Sequence, residues 1–362
     1  MKRIVFTVTN DLSFDQRMQR ICGSLANAGY EVCLVGRTQN ISVALTLKPF
    51  QQKRISCLFQ RGFLFYAEYN IKLFFFLLFQ KFDCVCVIDL DTIIPGFLAS
   101  TLKRTKRVYD AHELFCEMKE VVTRPFIYKC WKWIERTFVP QFNQGYTVNN
   151  LIADEFKKMY SRNYEVIRSI AKFNPDCGQT PKEKFLLYQG AVNEGRCFET
   201  LIPAMKMVDT PLIICGDGNF MNQAKQLVKE HQLQQKVIFK GMLAPEELRA
   251  ITNKAYIGTT LCEKDSLSTY YSLANRFFDY LQSGTPQICV DFPVYRKMNN
   301  MHQVGVLVED LSVESLAASI NNLLHNKQLW QELHENCKNA ALVWNWENEE
   351  KKLISFYNNY LG

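Results

Sequence analysis

The chain of 362 residues is 48% hydrophobic and 22% charged, which are ordinary values for a globular protein, and no low-complexity run suggests disorder. Its length exceeds what one hydrophobic core usually organises, so two domains are expected. The formal net charge of +7 arises in the first half, where residues 1–170 hold 24 Lys or Arg against 15 Asp or Glu. This surplus indicates either a solvated face or a surface that meets anionic lipid or a pyrophosphate-linked acceptor; nucleic acid is not an expected partner.

The opening of the chain predicts a parallel doubly wound sheet. A strand at 3–8, a polar loop at 9–14, a helix at 16–28 and a strand at 31–35 have the spacing of a strand-helix-strand unit. Further strands of this half are predicted at 84–88, 107–109 and 144–148.

The most apolar run of the chain, LFFFLLF at 73–79, is far shorter than the roughly 20 residues that span a bilayer. We therefore expect that it does not cross a membrane. A buried helix is the favoured interpretation, and a membrane-facing amphipathic element is the alternative.

Polar residues follow the predicted strands of the first half, namely Asp89, Asp91, Asp110, His112 and Glu113. Ligands of such sheets bind beyond the carboxyl ends of the strands, so these side chains and the loop at 9–14 should share one rim. Helix capping is the favoured interpretation for Asp89 and Asp91. The same pair could hold a magnesium ion as an Asp-x-Asp motif, but this alternative is secondary and no metal site is predicted.

The thirteen cysteines are scattered, and they form no zinc-type pairing of CxxC units. Several lie inside apolar strand-like runs, where cysteine behaves as a small hydrophobic residue. With an odd count and no signal peptide, the pattern favours a reducing cytoplasm.

A second doubly wound unit is predicted after an aperiodic stretch at 171–184, which is interpreted as a linker. Strands and helices alternate again beyond it. The predicted strands are 184–189, 211–215, 237–239, 255–259 and 287–290, and the predicted helices are 198–207 and 220–231.

The loops after three of these strands are candidate ligand contacts. Gly190 and Arg196 lie in the loop that leads from a strand into a helix, and an arginine there is suited to forked contacts with phosphate oxygens. The turn Gly216-Asp217-Gly218 follows the next strand, and Met242 follows the third. Glycine permits tight strand-to-helix turns, so these glycines predict where a ligand would bind and not which hydrogen bonds it would form.

The segment 261–286 predicts a helix whose N-terminus is open to a ligand. Tyr271, Ser272 and Leu273 lead into Asn275, and free amides near Ser272 to Arg276 would form an anion site. Asp279 follows Asn275 by one turn and would address the same ligand.

These motifs resemble those of glycosyltransferase family 4. The resemblance rests on NDLSFDQRMQRICGSLANAGYEVCLVGR near the start, VYDAHELF in the middle and the region from Gly190 to Pro286. It implies an α/β fold of the GT-B architecture, with two Rossmann-like domains and a cleft between them. The domains would span 1–170 and 185–340, joined by the linker 171–184, and a C-terminal helix at 341–362 would pack back on the first domain.

The resemblance also implies roles for individual residues. Asp279 would hold the ribose of a nucleotide sugar, Arg196 would neutralise its diphosphate, and His112 would lie near the transferred sugar. Two positions depart from the family pattern, since Tyr271 replaces an acidic residue and Ala191 replaces a cation. Arg276 or Lys264 could supply the missing charge. Possible sugar or acceptor contacts are Asp15, Arg17, Glu113 and Glu263, with helix capping an equal explanation for Asp15.

The resemblance implies a retaining, metal-independent and cofactor-free glycosyltransferase of the hexosyltransferase type. It would move a sugar from a nucleotide-diphosphate donor to a lipid-linked or oligosaccharide acceptor in the synthesis of capsular, exo- or lipopolysaccharide. The expected location is the cytoplasm, with peripheral contact to the inner face of the membrane through the basic first half. A nucleotide-sugar epimerase of the same architecture and a non-catalytic scaffold of a polysaccharide assembly complex are the alternatives.

Overall fold

The computed structural model describes residues 1–13, 15–40 and 42–362. The loop predicted at 9–14 thus ends, at Phe14, outside the described residues. The chain forms two compact units, one of Met1–Ser169 with Glu349–Gly362 and the other of Ile170–Asn348. Each unit has its own parallel sheet with helices between its strands, which confirms the predicted α/β class.

In the described part of the first unit, seven parallel strands lie in the order β3-β2-β1-β4-β5-β6-β7. The strands are β1 (Arg3–Thr7), β2 (Glu31–Arg37), β3 (Gln51–Ile55), β4 (Cys84–Ile88), β5 (Lys106–Ala111), β6 (Gly145–Thr147) and β7 (Glu165–Val166). The helices are α1 (Gln16–Asn27), α2 (Gly62–Phe79), α3 (Ile93–Lys103), α4 (Lys119–Val122), α5 (Pro125–Phe138) and α6 (Asn150–Tyr160).

The centre of this sheet is apolar on both faces. Val5 of β1 pairs in parallel with Cys33 of β2 and with Val85 of β4, and all three side chains are buried. Near-continuous apolar strands are typical of a parallel sheet that is covered by helices on both sides. The strand predicted at 84–88 is confirmed at those bounds.

Helix α2 differs from the buried helix expected at 73–79. Phe65, Tyr69, Leu73 and Leu77 form a buried stripe at four-residue spacing, and the Tyr69 hydroxyl donates to the Val8 carbonyl. The other faces carry solvent-exposed apolar side chains together with the Glu68–Lys72 ion pair. The whole helix of 18 residues is long and apolar enough to cross a membrane by length and composition, which the shorter run is not. Its buried stripe nevertheless belongs to the core of the first unit.

In the second unit, six parallel strands lie in the order β10-β9-β8-β11-β12-β13. The strands are β8 (Glu183–Gln189), β9 (Leu212–Cys215), β10 (Val237–Gly241), β11 (Ala255–Thr260), β12 (Gln287–Val290) and β13 (Gly305–Val308). The helices are α7 (Phe198–Ala204), α8 (Met221–Glu230), α9 (Pro245–Lys254), α10 (Leu267–Tyr270), α11 (Asn275–Gln282), α12 (Pro293–Met301), α13 (Val313–His325) and α14 (Lys327–Val343). The helix predicted at 198–207 is α-helical only to Ala204 and ends in a 3-10 turn.

The last helix, α15 (Trp346–Leu361), returns the chain to the first unit. Its Tyr357 is fully buried and packs edge-on against Phe6, Tyr30 and Tyr146. Residues 349–362 therefore supply part of the first unit's core, although 179 residues of the second unit separate them from Ser169.

Candidate functional site

Three loops meet at the carboxyl edge of the second sheet. They follow β8, β9 and β10, and backbone hydrogen bonds connect them. The Gly216 amide donates to the Gly241 carbonyl at 2.8 Å, and the Val192 amide donates to the Asp217 carbonyl at 3.0 Å. The carboxyl edge of a parallel sheet is where such folds bind ligands, so this is the expected place for a site.

The close approach of these loops requires glycine. Gly216 has φ +138°, and a Cβ on it would lie 1.9 Å from the Gly190 carbonyl oxygen. A Cβ on Gly218 would lie 2.3 Å from the Val192 carbonyl oxygen. The Asp217 carboxylate accepts a hydrogen bond from the Gly218 amide within the same turn. These distances explain the Gly-Asp-Gly turn by packing of backbone against backbone.

A buried arginine lies beneath this edge. Arg276, in the first turn of α11, is 8% exposed. Its two terminal nitrogens donate to the carbonyls of Gln189 and Leu261 at 3.2 and 3.3 Å, and its guanidinium lies 4.6 Å from the centre of the Tyr188 ring. Its Nε has no hydrogen-bond partner among the described residues. The Arg276 charge is thus held by carbonyls and a ring, and it forms no ion pair with a described carboxylate.

Arg276 reaches the loop after β8. A Cβ on Gly190 would lie 3.3 Å from Arg276 Nη1, so the guanidinium borders that glycine directly. Arg276 therefore places a positive charge next to the loop in which Ala191 replaces the cation of the family pattern. Lys264 lies nearby in sequence, but its ammonium sits 3.9 Å from the centre of the Tyr270 ring.

Arg196 and Glu263 lie in two segments that contact each other. The Glu263 amide donates to the Gly195 carbonyl at 2.9 Å, and an Asp265 carboxylate oxygen would lie 2.9 Å from a Cβ on Gly195. Arg196 precedes α7, is half-buried and makes no ion pair within the described ranges. The structure therefore brings both predicted residues to one side of the site.

Asp279 is oriented by a residue that the sequence did not single out. The Gln189 side-chain amide donates to the Asp279 carboxylate at 2.9 Å, and its oxygen accepts from the Thr252 hydroxyl at 2.7 Å. Gln189 is the last residue of β8, so the sheet itself positions the Asp279 carboxylate. The sequence signal that could have identified Gln189 is a polar residue directly after the apolar run FLLY.

The helix that carries Asp279, α11, begins at Asn275, the residue into which the preceding segment was predicted to lead. Ser272 and Tyr271 close the short helix α10, and the Ser272 amide donates to the Thr269 carbonyl at 3.1 Å. The Ala274 amide donates to the Tyr295 hydroxyl at 3.0 Å. The expectation of free amides from Ser272 onwards is therefore wrong for these two groups. The open first turn starts at Asn275, after Leu273 and Ala274.

The other residues predicted to contact a nucleotide-sugar donor lie at the surface of the same edge. Met242 follows Gly241 and is 70% exposed. The Tyr271 ring stacks on Tyr270, which packs edge-on against Phe292. A tyrosine thus fills the space where an acidic residue was expected.

The carboxyl edge of the first sheet holds a second group of charged residues. Asp110, at the end of β5, is fully buried and accepts a hydrogen bond from Arg17 of α1 at 2.9 Å. His112 follows the strand, and its Nε2 lies 3.0 Å from both Asp110 Oδ2 and Arg17 Nε. The three side chains form one compact cluster.

Charge pairing sets the protonation of this cluster. Burial opposes the charged form of His112, but the Asp110 and Asp89 carboxylates outweigh it and raise the pKa of His112 to about 9. Burial also opposes ionisation of Asp110, yet the Arg17 and His112 charges hold the pKa of Asp110 below its usual value. The raised pKa favours the imidazolium at neutral pH, in which the Nε2–H donates to Asp110 Oδ2 and the Arg17 Nε lies beside it as a second donor without a hydrogen bond.

Asp89 and Asp91 are structural neighbours of this cluster. Asp89 has φ +52°, and its carboxylate accepts a hydrogen bond from the His112 amide at 2.8 Å. The side chain of Asp89 caps no helix, which corrects the capping expectation for this residue. The Asp91 carboxylate accepts a hydrogen bond from the Thr9 hydroxyl. Burial raises the pKa of Asp89, and it raises the pKa of Asp91 to about 6.

The other residues of the first unit that were predicted to contact the sugar or the acceptor have the following surroundings. Asp15 caps α1, because its carboxylate accepts a hydrogen bond from the Met18 amide at 3.0 Å. Arg17 is 5% exposed and is engaged with Asp110, His112 and the Ile167 carbonyl. Glu113 is half-buried beside His112. In the part of the chain that the structure describes, no group of three or more His, Cys, Asp or Glu residues is placed to hold a metal ion.

Comparison with known proteins identifies the second unit. Residues 171–344 match the model of the family described as Glycosyl transferases group 1. An alpha-monoglucosyldiacylglycerol synthase of Streptococcus pneumoniae is 31% identical over 98 residues, which cover 26% of this chain and 20% of that protein. An N-acetylgalactosaminyltransferase of Campylobacter jejuni, which acts on N-acetylgalactosamine-N,N'-diacetylbacillosaminyl-diphospho-undecaprenol, is 24% identical over 164 residues, covering 44% of this chain and 42% of that protein. The matches thus span less than half of each relative.

Solved structures match the whole chain. A sucrose-phosphate synthase of Thermosynechococcus elongatus superposes with a TM-score of 0.80 at 16% identity, covering 99% of both chains. The Anabaena protein Alr3699/HepE, in complex with UDP and glucose, superposes with a TM-score of 0.78 at 12% identity, covering 99% of this chain and 100% of that one. At these identities the likeness shows the fold, and it confirms the predicted GT-B architecture.

Proposed function

We propose that the chain, whose residues 171–344 match the family described as Glycosyl transferases group 1, transfers a sugar from a nucleotide-diphosphate donor to a lipid-linked or saccharide acceptor. The product would be a surface polysaccharide or a glycolipid. The observation that carries this proposal is Arg276, a buried positive charge at the carboxyl edge of the second sheet that forms no ion pair with a described carboxylate. A buried charge without an ionic partner is costly, and a bound diphosphate would supply the partner.

We propose that two arginines bind the donor diphosphate. Arg276 borders Gly190, and Arg196 lies in the same loop with no ion pair in the described segments. Asp279, held by Gln189, would accept hydrogen bonds from the ribose hydroxyls. The Anabaena protein Alr3699/HepE, which has the same fold, is solved in complex with UDP and glucose and with UDP-glucose, which supports a nucleoside diphosphate as part of the donor.

The reaction would retain the configuration of the transferred sugar and need no metal. The bond between the anomeric carbon and the donor phosphate oxygen breaks, and a bond from the acceptor oxygen to that carbon forms on the same face. The acceptor proton passes to the departing phosphate. The two arginines would stabilise the negative charge that develops on the diphosphate, which is electrostatic catalysis by groups already in place.

His112 would act in this reaction as a hydrogen-bond donor. Its pKa is raised by Asp110 and Asp89, so the imidazolium has no lone pair to accept a proton at neutral pH. The Nε2–H donates to the Asp110 carboxylate, which fixes the ring on one side. A donor of this kind is suited to a hydroxyl of the transferred sugar, while Asp15, Glu113 and Glu263 stay proposals for further sugar or acceptor contacts.

We further propose peripheral contact with the inner face of the cytoplasmic membrane through the first unit. Phe75 and Phe79 of α2 are 52% and 83% exposed, and Leu102 of α3 is 66% exposed. Lys103 at the end of α3 donates to the Leu78 carbonyl, so these two helix ends lie together. With Lys81 and Arg104 exposed close by in sequence, the surface combines apolar and basic side chains, as helices that lie on anionic membranes do.

Binding and product analysis would test the proposed reaction. Purified protein is titrated with nucleoside diphosphates and their sugars in the presence of EDTA, and the thermal midpoint is followed. One nucleotide should raise the midpoint, and Arg276→Leu or Asp279→Ala should abolish the rise while Arg249→Ala, an exposed arginine on α9, should leave it intact. Absence of a rise with every nucleotide would contradict the donor site and favour a scaffold.

Product analysis separates transfer from isomerisation. With the stabilising donor and a mixture of lipid-linked acceptors, mass spectrometry should detect a glycoside that is one sugar heavier. Release of an epimerised nucleotide sugar without any acceptor would instead establish the epimerase.

The membrane proposal has its own assay. Sedimentation with vesicles that contain anionic lipid should retain the protein, and the double variant Phe75→Ser/Phe79→Ser should stay in the supernatant. Equal binding of both proteins would exclude this surface.

A further inference from the structure

A second concave site lies at the opposite edge of the second sheet. Its walls are the segment that leads into β8 and the first residues of that strand, the start of β11, and the junction of α13 with α14. These are the amino ends of β8 and β11, whereas Gly190 and Arg276 lie at the carboxyl edge. The cavity measures about 610 Å³, which is within the range of small-molecule sites.

The lining of this cavity carries only one sign of charge. Lys182, Lys184 and Lys327 line it together with His325 and His334, and no Asp or Glu does. Burial lowers the pKa of His334, so the lysines carry the positive charge of the lining. Lys184 and Lys327 are exposed, and their side chains make no ion pair or hydrogen bond within the described residues. Like charges that converge on one concavity repel each other, and an anion in the cavity would relieve that repulsion.

Lys182 is the anchored member of the group. Its ammonium donates to the Ser283 carbonyl and to the Thr285 hydroxyl, both at 2.7 Å. An ammonium has three N–H donors, so one remains for a ligand. Burial lowers the pKa of Lys182 to about 8, because its surroundings supply dipoles but no opposite charge. A bound anion would supply that charge.

The opposite wall is rigid and aromatic. Trp330 stacks on Tyr256 with ring centres 4.5 Å apart, and on His334 with ring centres 4.9 Å apart. The Trp330 indole donates to the Tyr256 carbonyl at 2.9 Å, and His334 Nδ1 lies 2.6 Å from the Gly284 carbonyl oxygen. The cavity therefore has a fixed shape, which limits the entropy lost when a ligand binds.

We propose that this cavity, bounded by Lys182, Lys184 and Lys327, binds a small anion with two or more phosphate groups. The size of the cavity and the number of lysines favour such an anion over a single phosphate. The site is separate from the proposed donor site, and its existence does not depend on the proposed transfer reaction.

Calorimetric titration of the full chain with inorganic pyrophosphate tests the proposal. Wild-type protein should show two binding events, one of which Arg196→Ala weakens. The double variant Lys184→Ala/Lys327→Ala should weaken the other event at least tenfold. Both lysines are exposed, so the fold should persist, and circular dichroism verifies that; Lys184→Gln/Lys327→Gln provides a second, polar variant.

A matched pair of lysines controls for net charge. Lys225 and Lys229, exposed on α8, are replaced in Lys225→Ala/Lys229→Ala, which should bind pyrophosphate within twofold of wild type. The proposal is overturned if wild-type protein shows no binding event that the pocket variants weaken, or if the control variant loses as much affinity as they do; a single event that the pocket variants weaken would overturn only the donor site.

Discussion

The carboxyl edges of the two sheets hold buried charge in opposite ways. At the first edge, Arg17 pairs with Asp110, and Asp110 and Asp89 together hold His112 as a cation. At the second edge, Arg276 is surrounded by carbonyls and a tyrosine ring and has no ionic partner among the described residues. The buried Arg17 charge of the first edge is paired within the protein, whereas the proposed function assigns the unpaired Arg276 charge of the second edge to a bound diphosphate.

Removing one partner at the first edge should produce the largest effect. Arg17→Leu would leave Asp110 fully buried beside only one cation, and breaking a buried ion pair costs about 3–5 kcal/mol. Urea unfolding of the variant measures this loss. The double variant Arg17→Leu/Asp110→Leu should recover most of it, and a double variant as unstable as the single one would contradict the pairing argument.

The corresponding change at the second edge should cost less stability and damage binding. Arg276→Leu orphans no carboxylate but leaves the Gln189 and Leu261 carbonyls without their donor, so the free energy of unfolding should fall by about 1–3 kcal/mol. Affinity for the donor nucleotide should fall about 10- to 100-fold, because charge-assisted contacts with phosphate are lost. Arg276→Lys serves as the charge-preserving control. A large loss of stability with unchanged affinity would reverse the contrast between the edges.

The pH dependence of stability should come from the first edge. The pKa of His112 is raised in the folded protein, so its stabilising contribution is fully present below the unfolded value of about 6.5 and is lost as the pH rises through about 9. The difference in unfolding free energy between wild type and His112→Gln should therefore shrink between pH 6.5 and pH 9.5. A difference that stays constant over this range would show that His112 is neutral when folded.

The smallest expected effect separates two roles of Asp15. As a helix cap, Asp15→Ala should cost about 1 kcal/mol, while Asp15→Asn should cost little because asparagine also caps. Thermal unfolding measures both variants. If Asp15→Asn keeps its stability but loses transfer activity, the carboxylate contacts an acceptor in addition to capping α1.

Local patterns predicted the sheets well. The strands Cys84–Ile88 and Gln287–Val290 are found at their predicted bounds, because a short apolar run between polar residues is a sufficient signal for a buried parallel strand. Glycine positions after β8 and β9 were likewise readable, since tight turns at those points require them.

Contacts distant in sequence account for what was missed. The Ala274 amide was expected to be free, but the Tyr295 hydroxyl, 21 residues away in the sequence, accepts its hydrogen bond. An exposed face of α2 was only the alternative interpretation, because apolar residues on several sides of a helix leave no clear periodicity to reveal its outer face. The lack of an ionic partner for Arg276 depends on where the carboxylates of distant segments lie in the fold. A local sequence pattern does not contain that information.

The return of α15 to the first unit has a consequence for biosynthesis. Tyr357 fills the space between Phe6, Tyr30 and Tyr146, so that core stays incomplete until residues 349–362 have left the ribosome. The second unit, continuous from Ile170 to Asn348, can complete its own core earlier. Although domains commonly fold in the order of synthesis, here the unit translated first would finish last, and chaperones would meet its open core in the interval.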